Sequence, residues 1–444
     1  MDKTDAKIPT RVLPGFMELL PAEQIVLNSM FDTIRRIYEQ YGFVPIDTPV
    51  IERAEVLFAK VGGETAKQVY RFTKGDNDLA LRFDLTVPLA RYVAEHAVEL
   101  TFPFRRYHLG KVYRGESPQK GRYREFYQCD IDIIGNGSLS LMNDAEIPRV
   151  IYDVFTALNI GPFVVRLSNR KLITGLMESL GISELAVEAM RVIDKFEKVG
   201  ETDTRQMLVE LGIVDALIAE VFGFLAINGQ TQEVIGKLKA LSVDNQVFQL
   251  GIAELEEVIK LLASLGMPED SYGIDLTIAR GLDYYTGTVY ETVLKDNPKI
   301  GSICSGGRFD NLAEKYTVRK LPGVGISIGL TRLFSQLKDA GLLKIGASTP
   351  TKVLIASLLR DPSVSLEIAT MLRTAGIPVE IYFEEAKVKT KLVYANRLGI
   401  PFVIFVGEDE IRSGLFTVKN MGTGEQVAIA KAELSSYIGK EVHY

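Results

Sequence analysis

The chain has 444 residues, 47% apolar and 24% charged, with a formal net charge of −6, enough for two or three domains and at least one large core. Its acidic balance argues against a general-purpose nucleic-acid coat, and without a signal-type apolar run near the start or a stretch of roughly 18–20 apolar residues, a secreted or membrane protein is not expected. Two cysteines, Cys129 and Cys304, and three histidines, His96, His108 and His443, give neither a disulfide framework nor metal-ligand spacing, which disfavours metal-dependent hydrolysis and fits a reducing cytoplasm.

Residues 21–41 place Leu27, Phe31, Ile34 and Tyr38 on one stripe at helical spacing, with Pro21 at the first turn, and predict a long amphipathic helix. "GFVPIDTPVIE" (42–52) reads as an extended segment broken by Pro45 and Pro49, suited to an edge or an interface. "LALRFDLTVPLARYV" (79–93) alternates as a strand, with Ala80, Arg82, Asp84 and Thr86 on one face. Residues 105–124 carry seven Lys or Arg against one acid, Glu116, so the positive field is concentrated there; a solvated charged hairpin would look the same. In "YREFYQCDIDII" Tyr127, Cys129, Ile131 and Ile133 point one way and Gln128, Asp130 and Asp132 the other. Carboxylates on an interior face need arginines of the same sheet or a ligand.

Helical patterns then fill 171–266, among them "KLITGLMESLG" and "AELEEVIKLLASLG", and predict a helical insertion. Strand signals return in "GIDLTIARGLDYYTGTVYETVL" and "GSICSGGRFDNLAEKY", and "GVGISIGLTRLFSQLKDAG" passes from a short strand into a helix with Arg332 near its start. A linker (343–351) leads to a fresh α/β alternation over 352–444. There "PFVIFVG" reads as a strand buried on both faces, and Lys387, Lys389 and Lys391 cluster at a helix start.

Several of these stretches resemble the class II aminoacyl-tRNA synthetases, and among them the histidyl-tRNA synthetase family, across essentially the whole chain. "GFVPIDTPVIE" is similar to the first class II motif, "KVYRGESPQKGRYREFYQCDIDIIG" to the second and "PGVGISIGLTRL" to the third. "ARGLDYYTGTVYE" (279–291) and "SGGRFDNL" (305–312) are similar to the histidine-specific signatures. The resemblance implies an α+β fold. It comprises a class II catalytic domain of mostly antiparallel sheet (1–170 and 267–342), a helical insertion domain (171–266) and a C-terminal α/β anticodon-binding domain (352–444).

It also implies activation of L-histidine with ATP to histidyl-adenylate, then transfer to the 3′ end of tRNA(His), in a cytoplasmic homodimer. Mg²⁺ would arrive with ATP as co-substrate, with no permanently bound cofactor and no protein metal site. By resemblance Arg114 and Arg280 are catalytic, holding the α-phosphate and the substrate carboxylate. Asp84, Thr86 and Gln128 receive the α-amino group, Asp132 and Tyr285 bracket the imidazole, and Tyr284 lines the pocket. Arg114, Glu116, Arg122 and Arg332 bind ATP, while Gln119, Lys120, Arg122 and Arg124 form the loop that meets the tRNA acceptor end. Fixed guanidinium groups suit a reaction that joins two anions and spreads charge over phosphate oxygens.

The chain departs from the family's usual pattern in "RVLPGFMELLP" (11–21), in Ser117 where a basic residue is common, and in Asp84 where many bacterial members carry glutamate. The alternative reading is a non-catalytic, histidine-sensing regulatory subunit of ATP phosphoribosyltransferase on the same fold. The C-terminal domain and the motif arginines favour the enzyme.

Overall fold

The computed structural model describes residues 8–59, 66–117, 121–194, 196–278 and 284–442. The chain divides into two compact units, Met1–Met17 with Phe31–Leu343 and Glu18–Met30 with Lys344–Tyr444.

The first unit is built on an eight-stranded sheet of β1 (Val44–Pro45), β5 (Phe104–Tyr113), β6 (Glu125–Ile134), β7 (Phe163–Asn169), β8 (Tyr272–Ile274), β9 (Thr288–Leu294), β10 (Ser302–Phe309) and β11 (Gly323–Gly329), in the order β1-β5-β6-β11-β10-β9-β7-β8. The pairs β1–β5 and β7–β8, at the two edges, are parallel, and the others are antiparallel. A smaller sheet joins β2 (Ile51–Arg53), β3 (Arg71–Lys74) and β4 (Asn77–Leu81) in the order β2-β4-β3. Along β6 the sequence period of two is obeyed, but both faces are buried: Cys129, Ile131 and Ile133 on one, Gln128, Asp130 and Asp132 on the other. Tyr38, from the amphipathic helix Pro21–Gln40, donates its hydroxyl to Cys129 O at 3.1 Å on the way into that core.

One element differs from the sequence expectation. The strand over 79–93 stops at Leu81, and Thr86–Glu95 is a helix. The local alternation was overruled by a helix start: Asp84 accepts the Val87 amide at 3.1 Å, and Pro88 sits in the first turn, where a missing N–H costs nothing. The turn between these elements also covers the free edge of β5. Arg82 Nε donates to Lys111 O at 2.8 Å, and Arg82 O accepts the Tyr113 amide at 2.9 Å.

Helices fill 170–264: Arg170–Ser179, Ala186–Ile193, Phe196–Glu210 with a break at Gly200, Asp215–Leu225, Thr231–Ala240 and Gln246–Ser264. The last buries Phe248, Ile252, Leu255, Ile259 and Leu262 at the three- and four-residue spacing of one stripe.

In the second unit a five-stranded sheet runs β13-β12-β14-β15-β16, from β12 (Val353–Ser357), β13 (Val379–Tyr382), β14 (Phe402–Val406), β15 (Leu415–Asn420) and β16 (Gln426–Ala430). β14, expected from its unbroken apolar run to be buried on both faces, lies at the centre with every residue buried. The lysine cluster is not one surface feature. Lys391 is buried, its ammonium donating to Ser357 O at 2.6 Å and lying 5.0 Å from the Tyr382 ring. Its apolar stem follows the buried stripe of the helix Val388–Leu398.

A buried ion pair ties β10 to the helix Met142–Leu158: Arg308 Nε and Nη2 donate to the two oxygens of Asp144 at 3.0 and 2.5 Å. Removing one partner strands the other in low dielectric. Asp144→Ala is therefore expected to destabilise the first unit by about 3–5 kcal/mol, measured as a fall in its urea-unfolding transition; a loss below about 1 kcal/mol would show the pair to be dispensable.

Candidate functional site

A cavity of about 480 Å³ opens on the polar face of the eight-stranded sheet. Ten of the residues singled out from the sequence line it: Asp84, Thr86, Arg114, Glu116, Arg122, Gln128, Asp132, Tyr284, Tyr285 and Arg332. They converge because strand pairing aligns three cross-sheet rows. Arg106, Asp132 and Gly325 stand side by side on β5, β6 and β11, then His108, Asp130 and Ser327, then Gly110, Gln128 and Gly329. Two glycines make room. A Cβ on Gly325 would lie 2.2 Å from Asp132 Oδ1, and one on Gly307 would lie 3.0 Å from the Tyr285 ring.

The inner end is acidic. Arg106, wholly buried, forms an ion pair with Asp132 and donates to Leu85 O at 3.2 Å. One guanidinium does not balance the carboxylates around it. Burial pushes the Asp132 carboxyl up to about 8; Arg106 opposes the shift, and Asp130 and Asp84 add to it. Burial likewise raises Asp84 to about 7, against the pull of the Val87 amide and Arg114, and Asp130 to about 6, against Arg106 and the Ser327 hydroxyl. Asp84 Oδ2 and Gln128 Oε1 are buried without a hydrogen-bond partner among the described residues. Tyr284 and Tyr285 meet edge to face at 5.0 Å, and burial raises both phenols. His108, beside Asp130, is driven down to about 3 by burial and by Arg106 and Arg82, with Asp47 opposing, and so stays neutral.

The outer end is basic and aromatic. Arg114 Nε donates to Phe83 O at 3.0 Å, and its guanidinium carbon lies 5.2 Å from the Phe126 ring. Arg122 pairs with Glu116 at 3.1 Å. Arg332, in the first turn of the helix Leu330–Asp339, donates to Ile300 O at 3.1 Å.

Arg124 is the described site candidate that the cavity does not include. Its Nε donates to Glu116 O at 3.1 Å, its Nη1 reaches Pro14 O at 3.4 Å, and its amide donates to Gly15 O at 2.7 Å. The unusual N-terminal segment therefore holds the base of the loop. Gln119, Lys120 and Arg280 lie outside the described residues.

The basic stretch 105–124 is less concentrated than its composition suggested. Arg105 is bonded to Glu146 and Lys111 to Glu125, each at 2.7 Å, while Arg106 is buried beneath the aspartates. Sequence reasoning also passed over Gln68, Phe126, Glu291, Cys304 and Ser327 on the cavity wall. Ser327 and Phe126 carried a signal: each adjoins or belongs to a motif already singled out, at a strand position whose parity could be counted.

A family profile described as "Histidyl-tRNA synthetase" matches residues 15–333, and one described as "Anticodon binding domain" matches 352–441. The chain belongs to the histidyl-tRNA synthetase family. A histidine–tRNA ligase of Clostridium tetani is 56% identical over 95% of this chain and 96% of the relative, and one of Xanthomonas campestris is 48% identical over 98% and 97%. The crystal structure of histidyl-tRNA synthetase from Nostoc sp. PCC 7120 superposes with a TM-score of 0.90 at 42% identity, covering 98% of this chain and 100% of that one. A Bacillus halodurans protein described as "an ATP phosphoribosyltransferase regulatory subunit/histidyl-tRNA synthetase" shares the fold, at a TM-score of 0.76 and 21% identity. The high-identity ligases and the matched anticodon-binding domain disfavour the regulatory reading. The synthetase is an ATP-dependent histidine–tRNA ligase.

The acidic cluster makes the synthetase's stability depend on pH. Each of the three carboxyls keeps its proton in the folded protein to a higher pH than in the unfolded chain, so their contribution favours the fold at low pH and is lost as pH rises through about 6 to 8. The ligand-free unfolding midpoint should fall between pH 5.5 and 8.5 (~3 units spanning these values), and Asp132→Asn should flatten the fall. An equal slope in the variant would exclude Asp132 as a source.

Proposed function

We propose that the cavity is where L-histidine and ATP are joined, the amino acid at the acidic end and the nucleotide at the basic end. The observation that carries this reading is the pair of buried acceptors without a partner among the described residues, Asp84 Oδ2 and Gln128 Oε1, in the same cavity that Arg114, Arg122 and Arg332 line. Buried acceptors require donors, and an ammonium group supplies three with a compensating charge. Asp84, Thr86 and Gln128 receive the α-ammonium group; Asp132 and Tyr285 bracket the imidazole, with Tyr284 beside them. A site built from buried polar groups rejects analogues that lack the matching donors by about 10⁴–10⁵.

Arg114 and Arg280 hold the histidine carboxylate and the α-phosphate. A carboxylate oxygen attacks phosphorus, the bond to pyrophosphate breaks, and the fixed guanidinium groups take up the charge spreading over the phosphate oxygens. The terminal ribose hydroxyl of tRNA(His) then attacks the acyl carbon, and AMP leaves. Glu116, Arg122 and Arg332 attend the ATP. Magnesium enters with the nucleotide, and Glu116 and Glu291 are wall carboxylates of the hard-oxygen type that suits it.

Gln119, Lys120 and Arg122 face the tRNA acceptor end, with Arg124 as the anchor of their loop. Residues 1–170 with 267–342 serve as the catalytic domain, 171–266 as a tRNA-contacting insertion and 352–444 as the anticodon reader. The protein works in the cytoplasm as a homodimer, and the exposed apolar residues Val44, Val50 and Ile51 of the first motif suit a subunit contact. None of the described helices is long and apolar enough to cross a membrane.

ATP–pyrophosphate exchange should be driven by histidine and by no other amino acid in a panel. Arg114→Ala and Arg280→Ala should each slow it by roughly 10²–10³ with little change in unfolding midpoint. Exchange with a different amino acid would overturn the substrate, and exchange at the parental rate would remove that arginine's role.

A further inference from the structure

We propose that Asp130 and Ser327 are positioning residues that decide which end of the Gln128 side-chain amide faces the cavity. This deepens the reading above and rests on Gln128 receiving the α-ammonium group. Gln128 Nε2 donates to Ser327 Oγ at 2.7 Å, leaving Gln128 Oε1 buried on the cavity wall without a partner among the described residues. Asp130 stands directly opposite Ser327 in the β6–β11 ladder, 1% exposed, two residues along the same face from Gln128.

The order of the protons follows from donor and acceptor counts. An ionised carboxylate only accepts, whereas a serine hydroxyl has one proton to give and lone pairs to offer. If the Ser327 proton goes to Asp130, the remaining lone pairs of Oγ require a donor, and only the NH₂ end of Gln128 is one. The amide is thereby oriented with its oxygen toward the substrate. In the reversed chain Ser327 would give its proton to the glutamine oxygen. Its lone pairs would then oppose the Asp130 carboxylate, and the NH₂ group would be aimed at a cation. Burial raises the Asp130 carboxyl to about 6, and Arg106 and then the Ser327 hydroxyl oppose the rise, which favours the ionised carboxylate at neutral pH. Asp130 thus acts on the substrate through two intervening groups without touching it.

Calorimetric titration with L-histidine, histidinol and imidazolepropionate, the analogue without an amino group, tests the chain of contacts. Ser327→Ala should weaken L-histidine and histidinol by about tenfold. Asp130→Asn, whose amide can donate to Ser327 and reverse the order, should weaken them by roughly ten- to a hundredfold. Neither should alter ATP affinity or imidazolepropionate binding. Gln128→Glu places an acceptor at both ends, so the Asp130→Asn/Gln128→Glu double variant should bind L-histidine more tightly than Asp130→Asn alone. A double variant no better than Asp130→Asn, or a parallel loss of imidazolepropionate, would overturn the proposal. Ser327→Ala, the smaller change, decides by the same ligand comparison if Asp130→Asn fails to fold. Failure of the underlying reading has its own signature: the parental protein would not bind L-histidine, or Gln128→Ala would weaken L-histidine and imidazolepropionate equally.

Discussion

Everything at the inner end of the cavity depends on one guanidinium group, that of Arg106, buried beneath three aspartates. A carboxylate taken out of water without a partner would discharge, and three close together would discharge one another. Arg106 keeps Asp132 paired and opposes the protonation of Asp84 and Asp130, yet leaves a deficit of positive charge. That deficit is what the proposed function draws on: a histidine ammonium group entering the cavity would complete a balance that the protein leaves open, so that recognition and neutralisation would be the same event.

The sheet makes this arrangement possible at small cost in backbone distortion. Cross-strand neighbours set ionisable groups side by side at a fixed spacing, and the opposing glycine at 325 removes the one atom that would displace the Asp132 carboxylate. A loop would need extra hydrogen bonds to hold the same groups still. On β5 and β6 the ladder does so already, and the chain leaving β5 carries Arg114 to the basic outer end of the cavity.

The parts of this design that were legible in the sequence are those written in local period. Gln128, Asp130 and Asp132 declared a polar face by alternation, and the unbroken apolar run of 402–406 declared a strand buried on both faces. What stayed hidden was written in register. Arg106 looked like one more charge of a basic loop, because only the pairing of β5 with β6 sets it against Asp132. The helix at 86–95 departs from its sequence signal for the opposite reason: a short period-two pattern is real, but the Val87 amide donating to Asp84 and the first-turn Pro88 outweigh it. Lys391, clustered with two other lysines in sequence, parts from them because the periodicity of its helix turns it inward.

The covering of β5 by Arg82 bears on how copies of such a chain associate. A bare outer strand invites another chain to extend the sheet, through main-chain contacts that read no sequence. Here the outward main-chain groups at Lys111 and Tyr113 are already engaged by the side chain and carbonyl of a single arginine, and Tyr107 O is taken by the Ile46 amide. Sheet continuation at Lys111 and Tyr113 is blocked. The residue that blocks it, Arg82, stands two positions before Asp84, which lines the cavity, so one short turn both finishes the sheet margin and shapes the cavity wall.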